Sequence, residues 1–207
     1  MPMSINTAVC SLAVAAVAST SAASVVEVTN NGGFETGDTS GWVEFPTANS
    51  TFNITGDANS GAFAAEVFNN DPGSSAVVKQ ANLGIGLVTP GSTVHISFAA
   101  KGSSALGGVA FAEFFSELDG EGVSSSEILS GGPLSLTQDY QTFSFTAVAG
   151  PDVSGGVTLQ FATVTGATPG STSVLFIDDV SVRVIPTPAS AALLGLGGLA
   201  VTRRRRG

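Results

Sequence analysis

The sequence predicts an all-β fold, a β-sandwich of two packed sheets, and three observations carry that prediction. Short apolar segments recur at regular intervals along the middle of the chain, separated by clusters of Gly, Asn, Asp and Ser. Several of these segments alternate in polarity, as in Val94, Ile96 and Phe98 or in Phe143 and Phe145, which is the period of a half-buried strand. Glycine is abundant at 26 residues and charged residues make up only 11%, a composition suited to many turns and poorly suited to long surface helices. Two sheets are then needed, because each must bury its apolar face against another layer.

The first element is not a strand. Residues 5–23, INTAVCSLAVAAVASTSAA, pass from an apolar run into small residues, with an Ala-x-Ala-like pattern around Ser21, Ala22 and Ala23. This predicts an N-terminal signal helix over 1–23, cut near residue 23. The segment before the apolar run has no Lys or Arg. The only cysteine, Cys10, falls inside this leader, behind a Thr-Ala-Val that makes a poor lipobox, so the mature domain is expected to have neither disulfide nor thiol chemistry.

The β-sandwich domain is expected over 24–184. A short strand from Val25 leads into a Gly-rich turn, the Phe34-Glu35 pair, a second turn and Trp42, which opens the next strand. Further strands are predicted at 50–54, 62–68, 74–81, 93–100, 109–117, 140–147, 156–163 and 174–184. Alternation in the last of these places Phe176, Asp178, Val180 and Val182 on one face, directed inward, which makes Asp178 a partly buried carboxylate. Trp42 and Tyr140 read as core, and the thirteen Phe as mostly inward, so no aromatic platform for sugars is visible.

Candidate chemistry is sparse, and no catalytic residue is assigned. His95, the sole histidine, alternates outward from Val94, Ile96 and Phe98 and has no nucleophile motif around it. A pair of carboxylates at the right separation would suffice for glycoside hydrolysis, but no pair among sixteen acidic residues is singled out. Glu117, Asp119 and Glu121 with Gly122 resemble the start of an EF-hand loop, yet Glu127 falls one residue short of the twelfth position, and an acidic hairpin loop is the better reading. The sequons at Asn49 and Asn53 are common by chance. Apart from Arg203 to Arg206 the chain has three basic and sixteen acidic residues, a formal charge of −13, which argues against nucleic acid and makes divalent cations the more natural partners.

The closing segment, 185–207, reads IPTPASAALLGLGGLAVTRRRRG: prolines that end the last strand, an apolar run too short for a free-standing transmembrane helix, and an arginine cluster that would stay cytoplasmic. Its three-part order resembles the PEP-CTERM sorting signal, with Pro186, Thr187 and Pro188 as the motif, Thr187 standing where the namesake pattern has Glu, and Arg203, Arg204, Arg205 and Arg206 as the basic cluster. The resemblance implies an exosortase-type processing enzyme as partner. It also implies passage through the inner membrane by a short C-terminal helix, followed by residence at the cell surface or outside. A simple C-terminal anchor is the alternative.

Both ends of the middle domain carry a second resemblance. NGGFETGDTSGW and FIDDVSV are similar to the segments that bracket the galactose-binding-like jelly roll of bacterial carbohydrate-binding modules. In that family the matching positions hold a structural calcium ion, which implies Glu35 and Asp178 as ligands here, with Asp179 as an alternative; otherwise Glu35 and Asp178 accept backbone hydrogen bonds from turns. Together the features point to an exported, non-catalytic protein of the cell surface or of an exopolysaccharide-rich matrix or biofilm. A carbohydrate-binding module with a defined glycan ligand is the alternative, and a polysaccharide hydrolase a third reading.

Overall fold

Eleven strands and no helix occur in the residues that the computed structural model describes, 24–120 and 122–185. They are β1 (Val26–Glu27), β2 (Val43–Phe45), β3 (Ser50–Thr55), β4 (Ala64–Asn69), β5 (Ser75–Leu83), β6 (Thr93–Ala105), β7 (Val109–Glu117), β8 (Val123–Ile128), β9 (Gln141–Val148), β10 (Val157–Val164) and β11 (Thr172–Val184). One antiparallel sheet has the order β3-β4-β11-β6-β9, with β1 added on β11; the other runs β2-β5-β10-β7-β8. The two stack as a sandwich of jelly-roll type. The predicted signal helix and membrane helix lie outside the described residues.

Alternation decides what each sheet turns inward. Val94, Ile96 and Phe98 on β6, Val157, Leu159 and Phe161 on β10 and Ala110, Ala112 and Phe114 on β7 are all buried. Phe161 meets Phe98 edge to face, with ring centres 4.9 Å apart, so the two sheets interlock at their middle strands. The Gly-rich turn after β1 closes one side of this core. Its Phe34 stacks on Trp42 at 5.5 Å, and Trp42 lies 6.0 Å from Phe161 while its indole N–H donates to the Asn31 carbonyl. Trp42 is a core residue, as its position after Ser40-Gly41 suggested.

Four expectations need correction. First, β8 was not predicted, because its sequence VSSSEI has no apolar alternation; it is held as an edge strand by pairing with β7. Second, the last strand does not alternate without a break. A bulge at Asp178 and Asp179, with Asp179 at φ 49°, shifts the register between β11 and β6. Leu175 and Ile177 face inward before it and Val180, Val182 and Val184 after it, so Phe176 points outward, not into the core. Third, Tyr140 is half-buried at the surface of the six-stranded sheet, where Lys101 lies over its ring. Fourth, the Phe residues divide between the two sides: Phe45, Phe111 and Phe115 line the outer face of the five-stranded sheet, Phe68 and Phe176 that of the six-stranded sheet, and Phe63 is exposed in a loop.

Candidate functional site

The three carboxylates singled out from sequence converge on one loop. Asp178 is fully buried, and what covers it is the β3–β4 loop and the turn after β1. Its Oδ2 accepts from the amides of Asn59 and Ser60 at 2.8 and 3.0 Å, and its Oδ1 accepts from the Asp179 amide at 2.7 Å. Burial pushes the Asp178 carboxyl above its ordinary range, against the pull of these amides. Glu35 takes the amides of Ala62 and Phe63, while Asp179 accepts from the Asn59 side-chain amide and the Ser60 hydroxyl.

Two glycines make these approaches possible. At Gly32 a Cβ would lie 2.0 Å from the Val180 carbonyl, and at Gly61, with φ +64°, 2.4 Å from Glu35 Oε1. Gly33 sits between the carboxylates, with Glu35 Cγ and Asp178 Oδ1 both within 4 Å of where its Cβ would be. All four carboxylate oxygens of Glu35 and Asp178 accept backbone amides. Among the described residues no group of three or more His, Cys, Asp or Glu is arranged to hold a metal.

The same loop is latched at its other end. Lys101 pairs with Asp57 at 2.6 Å and lies between the rings of Tyr140 and Phe176, 4.7 and 5.1 Å from their centres. The Tyr140 hydroxyl donates to the Asp57 carbonyl at 2.6 Å, and burial together with the charges of Asp178, Asp57 and Asp179 raises its pKa, so it stays a donor.

A different arrangement occupies the outer face of the five-stranded sheet. The central strand β10 presents Thr158, Gln160 and Ala162 there, and Thr158 and Ala162 are almost fully buried although they point away from the core. Larger neighbours shade them: Phe111, Glu113, Phe115 and Glu117 on β7, and Val77 and Lys79 on β5 with Phe45 on β2. The result is a trough along β10 between two ridges. Strand register places Val43, Lys79, Gln160, Glu113 and Ile128 in one row across it.

Hydrogen bonds set the side chains of the trough. Gln160 Nε2 donates to Glu113 at 2.7 Å, and the Thr158 hydroxyl donates to Glu117 at 2.6 Å. Lys79 lies over the Phe45 ring at 5.2 Å and has no carboxylate partner among the described residues. At the β5–β6 end the trough opens into a hollow of about 540 Å³, bordered by Lys79, Asn82, Ile85, Glu117 and Asp119. Ridges bearing rings, a polar floor and neighbouring carboxylate and amide groups can take a polyhydroxylated chain, since rings stack on the C–H faces of sugars while the polar groups bond hydroxyls.

Of these trough residues only Glu117 and Asp119 drew attention in the sequence, as part of an acidic hairpin loop and not as binding groups. The signal that was available is the adjacent pair Phe114-Phe115, since neighbours on a strand face opposite sides and one of the two rings must point outward. His95, as expected, points outward, on the opposite sheet. Of the acidic segment read from sequence, Glu117 ends β7 and Asp119 lies in the connection to β8.

Residues 26–170 match the family described as "Carbohydrate binding domain". The chain belongs to that family. No curated protein sequence matches it. Among solved structures, this carbohydrate-binding domain is similar to the CBM22-1 xylan-binding domain from Paenibacillus barcinonensis Xyn10C, at 12% identity and TM-score 0.53, over 75% of this chain and 92% of that one. It is similar to the Stig cyclase Fisc from Fischerella sp. TAU, at 19% identity and TM-score 0.54, over 79% and 100%. It also resembles the enzymatically active domain of tailspike protein 4 of bacteriophage CBA120, at 15% identity and TM-score 0.59, over 77% of this chain; the chain spans only 21% of that protein. At such identities these likenesses establish a shared fold, one that serves both binding domains and enzymes.

Proposed function

We propose that the protein binds a glycan chain in the trough of its five-stranded sheet and acts without catalysis as an exported component of a polysaccharide-rich cell surface or matrix. The observation that supports this reading is the trough itself, with small β10 residues between ring-bearing ridges and a row of Lys79, Gln160 and Glu113 across it. Membership of a carbohydrate-binding family supports the same ligand class. Hydrolysis has less support: Glu113 and Glu117 are four residues apart on β7, about 13 Å along the strand, whereas glycosidase carboxylates stand about 5–9.5 Å apart.

A glycan array followed by calorimetry tests the reading. One neutral polysaccharide should bind, and Gln160→Ala and Phe111→Ala should each weaken it about tenfold with little change in melting temperature. Uniform silence across the array, or binding indifferent to both substitutions, would refute it.

Two further parts rest on sequence. The segment with Pro186, Thr187, Pro188 and Arg203 to Arg206 directs the protein through the inner membrane to an exosortase-type enzyme and then to the surface or the medium. The carboxylates of Glu35 and Asp178 hold a structural calcium ion, with Asp179 as the alternative ligand, tying the turn after β1 and the β3–β4 loop to β11. Calcium should then raise the melting temperature and EDTA lower it; indifference to both would remove the ion from the account.

A further inference from the structure

The pole at which the chain enters and leaves the sandwich is apolar and exposed. Val184 at the end of β11 lies opposite Val26 of β1 and Val94 of β6, and Val94 opposite Ala147 of β9, so four strands begin or end there. The β5–β6 loop folds onto the same place: a Cβ at Gly84 would lie within 4 Å of the side chains of Val88, Val28 and Val184. Around this rim Val25, Ile85, Leu87 and Val148 stand in solvent, Ile85 56% and Val148 62% exposed. Between that loop and the β9–β10 connection lies a hollow of about 560 Å³, bordered by Ile85, Pro90, Pro151 and Val153. Scattered singly such side chains need no explanation, but gathered at one pole they mark a contact surface.

The acidic character of the body stops short of this pole. Residues 80–100 and 141–151 contain no Asp, Glu, Lys or Arg. The charged groups beside it are already engaged: Glu27 pairs with Arg183, and the Asp152 carboxylate, at the edge of the hollow, accepts from the Ser154 amide. What covers the pole follows from where the chain leaves it. Ile185 departs here, and an apolar run begins at Ala189, four residues on. Four residues reach at most about 14 Å, and the headgroup layer outside the hydrocarbon is about 5–8 Å thick. A run that enters a bilayer therefore draws this pole to the lipid surface. Anionic lipid repels the acidic body, so the uncharged pole is the part of the domain best suited to lie against it.

We infer that this pole is a lipid-contact surface: while the chain is tethered through 186–207, the side chains of Ile85, Leu87 and Val148 enter the headgroup region and seat the sandwich on the bilayer by this end. Contact of this kind grows with the apolar area buried, and the tether makes a weak contact effective by holding it close. The inference rests on the reading that 186–207 leads into the inner membrane, and it is independent of the trough.

Each variant is made in the full chain with Cys10→Ser, so that one introduced thiol carries a fluorophore. The vesicles are phosphatidylethanolamine and phosphatidylglycerol with a quencher on the acyl chains. A label at Leu87→Cys should lose about half its emission, as suits an interfacial depth, and a label at Leu196→Cys should lose more. Leu106→Cys, an exposed apolar position at the opposite pole, should keep its emission. Val148→Glu places a charge in the contact without touching the core, and should restore most of the Leu87 emission while Leu196 stays quenched. An unquenched Leu87 beside a quenched Leu196 overturns this inference alone; if both are unquenched, the membrane reading of the tail falls and the inference falls with it. Equal quenching at Leu87 and Leu106, or quenching at Leu87 indifferent to Val148→Glu, would overturn it as well. So would a Leu87 label shielded from iodide before any vesicle is added, which would give the pole to a second copy or to the chain itself.

Discussion

Glu27 shows how much one side chain does at the edge of this fold. It lies on a two-residue strand, yet its carboxylate gathers two amides, a hydroxyl and the Arg183 guanidinium, fastening β1 to β11. Burial works to raise its pKa, but the hydrogen bonds from Ser181, Thr29 and Val182 outweigh it and hold the carboxyl below its ordinary range. A depressed folded value means stability that is fully present above the ordinary carboxylate range and lost as pH falls through the folded value. Glu27→Gln should therefore melt at a lower temperature than the native protein at neutral pH, by an amount worth about 1 kcal/mol for hydrogen bonds at a partly exposed site. Melting curves of the two should converge in acid; a constant gap across pH would contradict this role. At the same scale, Phe111 and Gln160 are the side chains whose loss should be felt in glycan affinity and not in stability.

At the scale of elements, the bulge in β11 sets the fold of the C-terminal half of that strand. Had the strand continued without it, Ile177 and Asp179 would share a face with Ser181 and Arg183, and Val180 and Val182 would turn to solvent. Deleting Asp179 takes out the extra residue and leaves Ile177, Val180 and Val182 alternating inward on a regular strand, so the chain should still fold, with a lower melting temperature from the lost bonds to Asn59 and Ser60; loss of the cooperative melting transition would contradict this. Replacing Asp179 by Asn preserves both the left-handed backbone and a polar side chain for the β3–β4 loop, and should fold. The strands whose apolar residues alternate without interruption, β6 and β9 above all, were legible in the sequence because periodicity alone specifies them. The bulge was not, since Asp178-Asp179 reads as two polar residues until the backbone at Asp179 is known to be left-handed. Nor was β8, whose three serines have no inward signature and whose place depends on a partner strand. The carboxylate cluster was legible from a family-like pattern at the two ends of the domain, but the loop that covers it, 56–63, was not. The trough was hidden for a different reason: Thr158, Gln160 and Ala162 acquire meaning only from the residues on β5 and β7 that stand beside them, and register between distant strands is not written in local pattern.

Over the whole molecule, the charge pattern separates three surfaces. The trough pairs one unpartnered lysine with two glutamates, the opposite face gathers Arg183 and His95, and the body between them is acidic. Binding in the trough should change little with added salt, because its contacts are rings, amides and short hydrogen bonds. The fate of the ends is a whole-molecule property too. Intact mass of the protein recovered from envelope and medium of its host should show an end near Pro186 with Arg203 to Arg206 removed; a mass retaining all four arginines would point to an uncut anchor.

β1 pairs with the last residues of β11, Val26 opposite Val184. The chain therefore enters and leaves the sandwich side by side, at the pole where β6 begins and β9 ends. Anything that tethers the polypeptide beyond residue 185 therefore grips the sandwich by this one end, like a blade by its handle, and leaves the trough on a broad side away from the grip. A polymer strand seized in the trough would then lie along one broad side, as a rope lies against a cleat.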